Sequence, residues 1–494
     1  MQNIPSIKLG IVAVSRDCFP LSLSQQRKTN VLGECRKAGI EIVDVPVMVE
    51  NESDAIKALE YVREHKINAL VLFLGNFGPE TPTTLLAQKF GGTVMLVAAA
   101  EESTGSLATG RGDAYCGMLN ASYSVGLRKL MVHIPEYPVG SPAEIATMIG
   151  EFVPVARVRL ALSKLKIFSF GPRPQDFLAC NAPIKPLYDL GVEIMENSEL
   201  DLYDVYLESK SDKNIDSIAK NMAQELGAGN SYPDLLRKLG QFEAALLGFM
   251  EKNLGASEYG IFANKCWPSF EKYFEFVPCY VNSRLAARGI PVACEVDIYG
   301  ALSEYIAVCA TEKPATLLDI NNSVPTDMYE RNKAKAGGYR LNDLFMGFHC
   351  GNTPSECLCE CSMKYQYIMH SLMEPGQEPN ITRGTLEGRI RPGEVTVFRL
   401  QSTADAELKA YIAEGEVLDI EPCTFGGIGV IAVKEMARFY RHVLIQQRFP
   451  HHSAIAFRHA GKTLYDALKM LGVCPERIFH NQSAGQRYPQ ENPF

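Results

Sequence analysis

Leu9-Gly-Ile-Val-Ala-Val14 is an apolar run of strand length, and three more follow: Ile40-Glu-Ile-Val-Asp-Val45, Ala69-Leu-Val-Leu-Phe-Leu74 and Gly92-Thr-Val-Met-Leu-Val97. Helix-length segments separate them, so the runs read as strands of a parallel sheet with helical crossovers. Residues 53–65 supply one crossover, with Ser53 placed to cap a helix and Ile56, Leu59 and Val62 at helical spacing. The reading is a flavodoxin-like or Rossmann-like α/β domain over residues 1–163. Ser141-Pro142, a cap residue followed by proline at the first helical position, begins the helix that leads out of it.

A second α/β block is expected over residues 164–310. Leu165-Lys-Ile-Phe-Ser-Phe170, Gly191-Val-Glu-Ile-Met195, Tyr259-Gly-Ile-Phe-Ala263 and Ile290-Pro-Val-Ala-Cys294 are its strands. Leu235, Leu239, Phe242, Leu246 and Phe249 form the core stripe of an amphipathic helix. From residue 311 to 494 the runs shorten and alternate, as in Glu394-Val-Thr-Val-Phe-Arg-Leu400 after a Pro-Gly turn. This predicts a mainly antiparallel β domain or small barrel, with a late helix over 460–472.

Composition bounds the function. The 494 residues are 46% hydrophobic and 21% charged, ample for several cores without staples. Lys+Arg 49 against Asp+Glu 57 gives a net charge of −8, and no segment gathers the basic stripe that nucleic acid requires. Fourteen cysteines are scattered rather than framed. With no secretory pattern at the N-terminus and no apolar run of spanning length, the expectation is a cytoplasmic protein with reduced thiols and no membrane segment.

The candidate chemistry lies in acids at strand ends and in histidines of the last third. Glu295 and Asp297 follow an apolar run, where parallel α/β sheets bind ligands, although Asp297 also suits a helix N-cap. Asp319 closes Ala315-Thr-Leu-Leu318 and alone reads as a turn residue. His349 stands in Phe348-His-Cys350. His451-His452 enters a strand candidate, where alternation allows only one of the two to face a site. Carboxylates with imidazoles suit Mn²⁺, Mg²⁺, Co²⁺ or Zn²⁺. Cys350, Cys357, Cys359 and Cys361 lack the spacing of paired zinc knuckles and read as incidental. Arg111-Gly-Asp113 reads as a loop, and Phe425-Gly-Gly-Ile-Gly429 as a tight turn rather than a phosphate cradle.

Four ordered elements together resemble the L-fucose isomerase and L-arabinose isomerase superfamily along essentially the whole chain. They are Lys265-Cys-Trp-Pro268 ahead of Ala293-Cys-Glu-Val-Asp297, Asp319 placed 24 residues after Glu295, Gly384-Thr-Leu-Glu-Gly388, and His452-Ser-Ala-Ile-Ala-Phe-Arg-His-Ala-Gly-Lys-Thr-Leu464. The resemblance implies that Glu295, Asp319 and His452 bind a divalent ion, Mn²⁺ before others, with Glu295 and Asp319 as the catalytic acid/base pair. The chemistry implied is aldose–ketose isomerisation through a cis-enediol, on a deoxy sugar or pentose of the L-fucose/D-arabinose type. His349 would be an added ligand in an arabinose-isomerase-like site, whereas Asp319 leans towards fucose isomerase. Arg16 matches a position from which the family reaches a neighbouring subunit's sugar, and Trp267 is a candidate pocket wall. Homo-oligomers, hexamers in particular, are implied as well. The alternatives are L-arabinose isomerase activity and a non-catalytic sugar-binding protein built from two α/β lobes.

Overall fold

The computed structural model describes residues 3–103, 110–489 and 491. The chain forms two compact units, one of Pro5–Leu160 with Asp466–Gly472, the other chiefly of Ala161–Tyr465.

In the first unit β1 (Leu9–Val14), β2 (Ile42–Asp44), β3 (Ala69–Leu74), β4 (Thr93–Ala99) and β5 (Val139–Gly140) form a parallel sheet in the order β2-β1-β3-β4-β5. Every residue of β1, β3 and β4 is buried, as expected of central parallel strands covered on both faces. The crossover helix Glu52–Glu64 is capped by Asn51, whose side chain accepts from the Asp54 N–H, and not by Ser53. Asn offers the same cap chemistry two residues earlier, so the helix begins there. Its buried face is Ala55, Ala58, Leu59 and Val62, which leaves Ile56 54% exposed, contrary to the expected stripe.

In the second unit β6 (Leu165–Gly171), β7 (Glu193–Ser198), β8 (Tyr259–Ala263) and β9 (Val292–Ala293) make a parallel sheet in the order β7-β6-β8-β9. The helix Leu236–Asn253 buries Leu239, Phe242 and Leu246 as the periodicity demands. Nine strands follow: β10 (Ala315–Ser323), β11 (Leu344–His349), β12 (Ser362–Tyr365), β13 (Arg383–Arg389), β14 (Gly393–Ser402), β15 (Leu408–Leu418), β16 (Gly427–Val433), β17 (His452–Ala456) and β18 (Ile478–His480). Their order is β12-β13-β16-β11-β10-β17-β14-β15-β18, and the extra pairing of β15 with β16 closes six of them into a mainly antiparallel barrel. The helix Ile298–Thr311 is buried along almost its whole length and packs on β17, β14, β10 and β8, joining sheet to barrel. Its apolar circumference is what such a sandwiched position requires.

Two features of register set up the site. Asp319 on β10 pairs with His452 on β17 and, on its other side, with Phe348 on β11, the residue before His349. Asp319 is thus a strand residue rather than a turn residue. Gly427–Gly429 likewise open β16, with Gly426 alone in the left-handed region at φ 93°. Among the described residues no helix is long and apolar enough to cross a membrane.

Candidate metal centre

Glu295 is presented by a strained turn. Cys294 alone separates it from the end of β9, and both Glu295 and Val296 hold left-handed backbone at φ 52° and 57°. Each such non-glycine residue costs about 1–2 kcal/mol. The turn is held because the Val296 N–H donates to the Asn264 carbonyl and the Asp297 N–H to the Cys294 carbonyl, fastening it to the neighbouring strand end. The effect is to aim Glu295 towards the barrel strands.

There it meets the register-aligned pair. His452 Nε2 lies 3.3 Å from Glu295 Oε2 and 3.4 Å from Asp319 Oδ1. Both oxygens are shielded from solvent and neither has a hydrogen-bond partner, so they face the imidazole nitrogen without bonding to it. Ligand atoms side by side around an octahedral ion with bonds of about 2.0–2.1 Å stand about 3 Å apart, and His452 Nε2 lies close to that spacing from each of the two oxygens. A carboxylate–carboxylate–imidazole set is the donor chemistry of a divalent cation such as Mn²⁺ or Zn²⁺.

The other nitrogen of His452 explains its orientation. Nδ1 lies 2.8 Å from Asp297 Oδ2, and an ionised carboxylate only accepts, so Nδ1 carries the hydrogen and Nε2 is turned towards Glu295 and Asp319. Asp297 is in turn gripped by Arg399: Nη1 and Nη2 donate to its two oxygens at 2.8 and 3.0 Å, while Nη1 also donates to the His452 carbonyl at 3.2 Å. Arg399 also bonds Gln401 through Nε. Asp297 still caps the helix Ile298–Thr311 by accepting from the Gly300 N–H, so the cap reading holds and was only part of its work. The charged residue within the apolar strand run Val395–Leu400 was the one sequence signal for Arg399.

Burial works against charge on all these groups, and their mutual contacts overcome it. It would raise Asp297, but Arg399 and His452 hold that carboxyl far below the usual range. Glu295 is likewise held below its ordinary value by His452, with His349 and His451 adding to the effect. Burial would lower His452, yet its contacts with Asp297, Cys180 and Glu295 push it well above its ordinary value.

His349 ends β11 with Nε2 4.0 Å from Glu295 Oε2, and its Nδ1 accepts from the Cys350 N–H at 2.9 Å. With that lone pair used, Nε2 is the nitrogen that carries a hydrogen, and at 4.0 Å it stops short of a hydrogen bond to Glu295. His451 also reaches the site, with Nε2 3.7 Å from Asp319 Oδ1. The expectation that only one of the two adjacent histidines faces the centre is therefore corrected. β17 begins at His452, so strand alternation does not govern His451. Burial and the neighbouring His452 lower the His451 pKa. Among the described residues three groups could hold a metal ion: Cys294 with Glu295 and His349, and two that share His452, Asp319 with His451 and His452 and Cys180 with Asp297 and His452.

Trp267 is half-buried and stands edge-on to Phe177 at 6.5 Å, and Phe177 in turn packs edge-on against His451 at 5.5 Å, so the indole reaches the centre only through that ring. Arg16 belongs to the other compact unit, at the carboxyl end of β1, where it lies over Phe77 at 5.1 Å and 3.7 Å from Glu80. Cys350, Cys357, Cys359 and Cys361 are all free thiols and do not form a four-thiolate group, Cys350 accepting instead from Gln366 Nε2.

Comparison with known proteins agrees with this architecture. Residues 10–163 match the N-terminal domain of the fucose/sulfoquinovose isomerases, and residues 347–476 the C-terminal domain of L-fucose isomerase. A sulfoquinovose isomerase of Alkalicoccus urumqiensis is 26% identical over 350 residues, 69% of this chain and 71% of the relative. One of Priestia aryabhattai is 23% identical over 327 residues, 65% of this chain and 66% of the relative. One of Clostridium sp. (strain MSTE9) is 27% identical over 302 residues, 60% and 61% respectively. Two domain matches in the right order, on a fold of two parallel sheets and a barrel, make the chain a fucose isomerase-like protein and an aldose–ketose isomerase.

Proposed function

We propose that the chain is a metal-dependent aldose–ketose isomerase in which Glu295, Asp319 and His452 hold the divalent ion, Mn²⁺ by preference. The observation that carries this reading is the pair of shielded, unpartnered oxygens of Glu295 and Asp319 facing His452 Nε2. A divalent ion bound there supplies Lewis acidity, steadying the sugar O1 and O2 and the negative charge that develops on them. Glu295 and Asp319 are the catalytic acid/base pair. One carboxylate takes the proton from C2 of the open-chain aldose as O1 gains a proton, giving the cis-enediol. The O2 hydroxyl then loses its proton and the first carboxylate returns hydrogen to C1, leaving the ketose.

Asp297 and Arg399 act through His452 by fixing which nitrogen it offers. His349, its Nδ1 occupied by the Cys350 N–H and its Nε2 4.0 Å from Glu295, is assigned a place beside the centre rather than that of a fourth ligand, as in the three-ligand, fucose-isomerase-like arrangement. Trp267 is assigned to the wall behind Phe177, and Arg16 to the sugar site of a neighbouring subunit in a homo-oligomer, a hexamer by resemblance. The reading places the enzyme in the cytoplasm.

The substrate reading is a deoxy sugar or pentose of the L-fucose/D-arabinose type, with L-arabinose second; the relatives named sulfoquinovose isomerase add a sulfonated hexose. Ketose formation from L-fucose, D-arabinose, L-arabinose and sulfoquinovose, with Mn²⁺ and after chelation, tests the proposal. Conversion of one sugar that stops on chelation and returns with Mn²⁺ supports it, and conversion indifferent to chelation refutes it.

A further inference from the structure

A cleft of about 950 Å³ opens at the carboxyl ends of β6 and β7. Its walls come from Gly171–Arg173, Glu196–Ser198, the segment from Cys180 to Ile184, and the start of the helix Ile298–Thr311. The volume is that of a small-molecule site, and the carboxyl edge of a parallel sheet is where such sites lie. It adjoins the metal centre without being part of it. Cys180 lines the cleft and brings its Sγ within 3.7 Å of His452 Nδ1, and Val296, the neighbour of Glu295, lines it too.

Arg173 is the one cation among the lining residues. Its Nε is shielded from solvent and has no hydrogen-bond partner, and among the described residues no carboxylate pairs with its guanidinium. Glu196 lines the same cleft but is exposed and makes no ion pair with it. Asn181, also on the wall, has a side-chain amide free of protein hydrogen bonds among the described residues. A partly buried guanidinium without counter-ion, in a cleft that also offers a free amide donor, is the chemistry that receives a tetrahedral oxyanion, because planar paired N–H groups match two oxygens of a sulfonate or phosphate.

We propose that Arg173 is the anion receptor of this cleft, binding a sulfonate or phosphate group. Two sources share that chemistry: the charged end of a sulfonated or phosphorylated sugar, or a free inorganic anion. The first source rests on the isomerase reading above; the second does not.

The test uses the full chain in three forms, wild type, Arg173→Gln and Arg173→Lys, titrated calorimetrically with inorganic sulfate and inorganic phosphate at constant ionic strength. Among the described residues the Arg173 side chain makes no hydrogen bond or ion pair that Gln would break, and unchanged circular dichroism with the lysine variant checks that the fold is intact. Sulfate should bind the wild type, about ten-fold or more weakly to Arg173→Gln, with Arg173→Lys in between. Steady-state kinetics of the Mn²⁺-loaded forms then separate the sources. A KM for sulfoquinovose raised at least about ten-fold more than the KM for a neutral sugar assigns the anion to the substrate. Weakened sulfate binding without that split assigns it to a free anion. Sulfate that fails to bind the wild type, or binds Arg173→Gln equally, overturns the proposal. A protein with no isomerase activity would refute the function above while leaving the sulfate titration decisive here.

Discussion

Replacing Asp297 with Asn should cost the protein both stability and metal affinity, through two different contacts. The Asp297–Arg399 pair has side chains 2% and 0% exposed, with two charge-assisted bonds of 2.8 and 3.0 Å. Leaving Arg399 buried without its counter-charge costs about 3–5 kcal/mol. The helix cap adds nothing to the loss, because Asn accepts from the Gly300 N–H as well as Asp does. For a unit of this size the loss should lower the melting temperature by roughly 4–7 °C. The same carboxylate orients His452 through the 2.8 Å contact to Nδ1, and loss of such an outer partner weakens metal binding about 10–100-fold. Isothermal titration with Mn²⁺ and thermal unfolding of the metal-free protein measure the two effects separately. The double variant Asp297→Leu/Arg399→Met removes both charges and should recover most of the stability but none of the affinity. Wild-type Mn²⁺ affinity in Asp297→Asn would refute the claim that Asp297 sets the ligand geometry of His452.

Three further outcomes are expected. Because its contacts raise the His452 pKa well above the ordinary value, metal must displace a proton near neutrality. Mn²⁺ affinity should therefore climb as pH rises from about 6 to 8, with proton release seen in buffers of different ionisation enthalpy, and pH-independent binding would contradict it. Glu271 is fully buried with neither oxygen hydrogen-bonded, and burial pushes its pKa to about 8. A raised carboxyl pKa favours the folded state fully only below the unfolded value and loses that contribution as pH rises towards 8. Glu271→Gln should thus be the more stable protein by roughly 3 kcal/mol at pH 7. The gap should widen in unfolding titrations between pH 5 and 8, and a constant gap would count against it. His349→Ala should leave the Mn²⁺ Kd within a few-fold of wild type, because its Nε2 stands 4.0 Å from Glu295 Oε2 and makes no hydrogen bond to it, and a loss of about 100-fold or more would make it a ligand instead.

Much of the architecture was legible because it is written locally. The runs at Leu9–Val14, Ala69–Leu74 and Tyr259–Ala263 became strands with those bounds, since parallel strands buried along all or nearly all of their length must be apolar throughout. Capping was harder to place: Asn51 and Ser53 carry the same chemistry two residues apart, and only tertiary packing chooses between them. In the site, resemblance pointed to Glu295, Asp319 and His452, and the structure brings them together. Reading residues one by one placed Asp319 in a turn because a single acid after an apolar run does not reveal that the strand continues. His451 was misjudged because alternation holds only inside a strand, and β17 starts one residue later. The Asp297–Arg399 pair spans 102 residues of chain. Nothing local to either residue encodes that distance, apart from the cost of placing an arginine in a buried strand unless a partner waits there.

The central claim is proton transfer by the Glu295–Asp319 pair at a metal held with His452. Its most direct test is deuterium incorporation at sugar C1 or C2 in D₂O, with Mn²⁺-loaded protein and the sugar it converts, against Glu295→Gln. The account predicts solvent deuterium in the sugar with the wild type and its loss in the variant. Isomerisation with no deuterium incorporated, or incorporation that persists in Glu295→Gln, would contradict it.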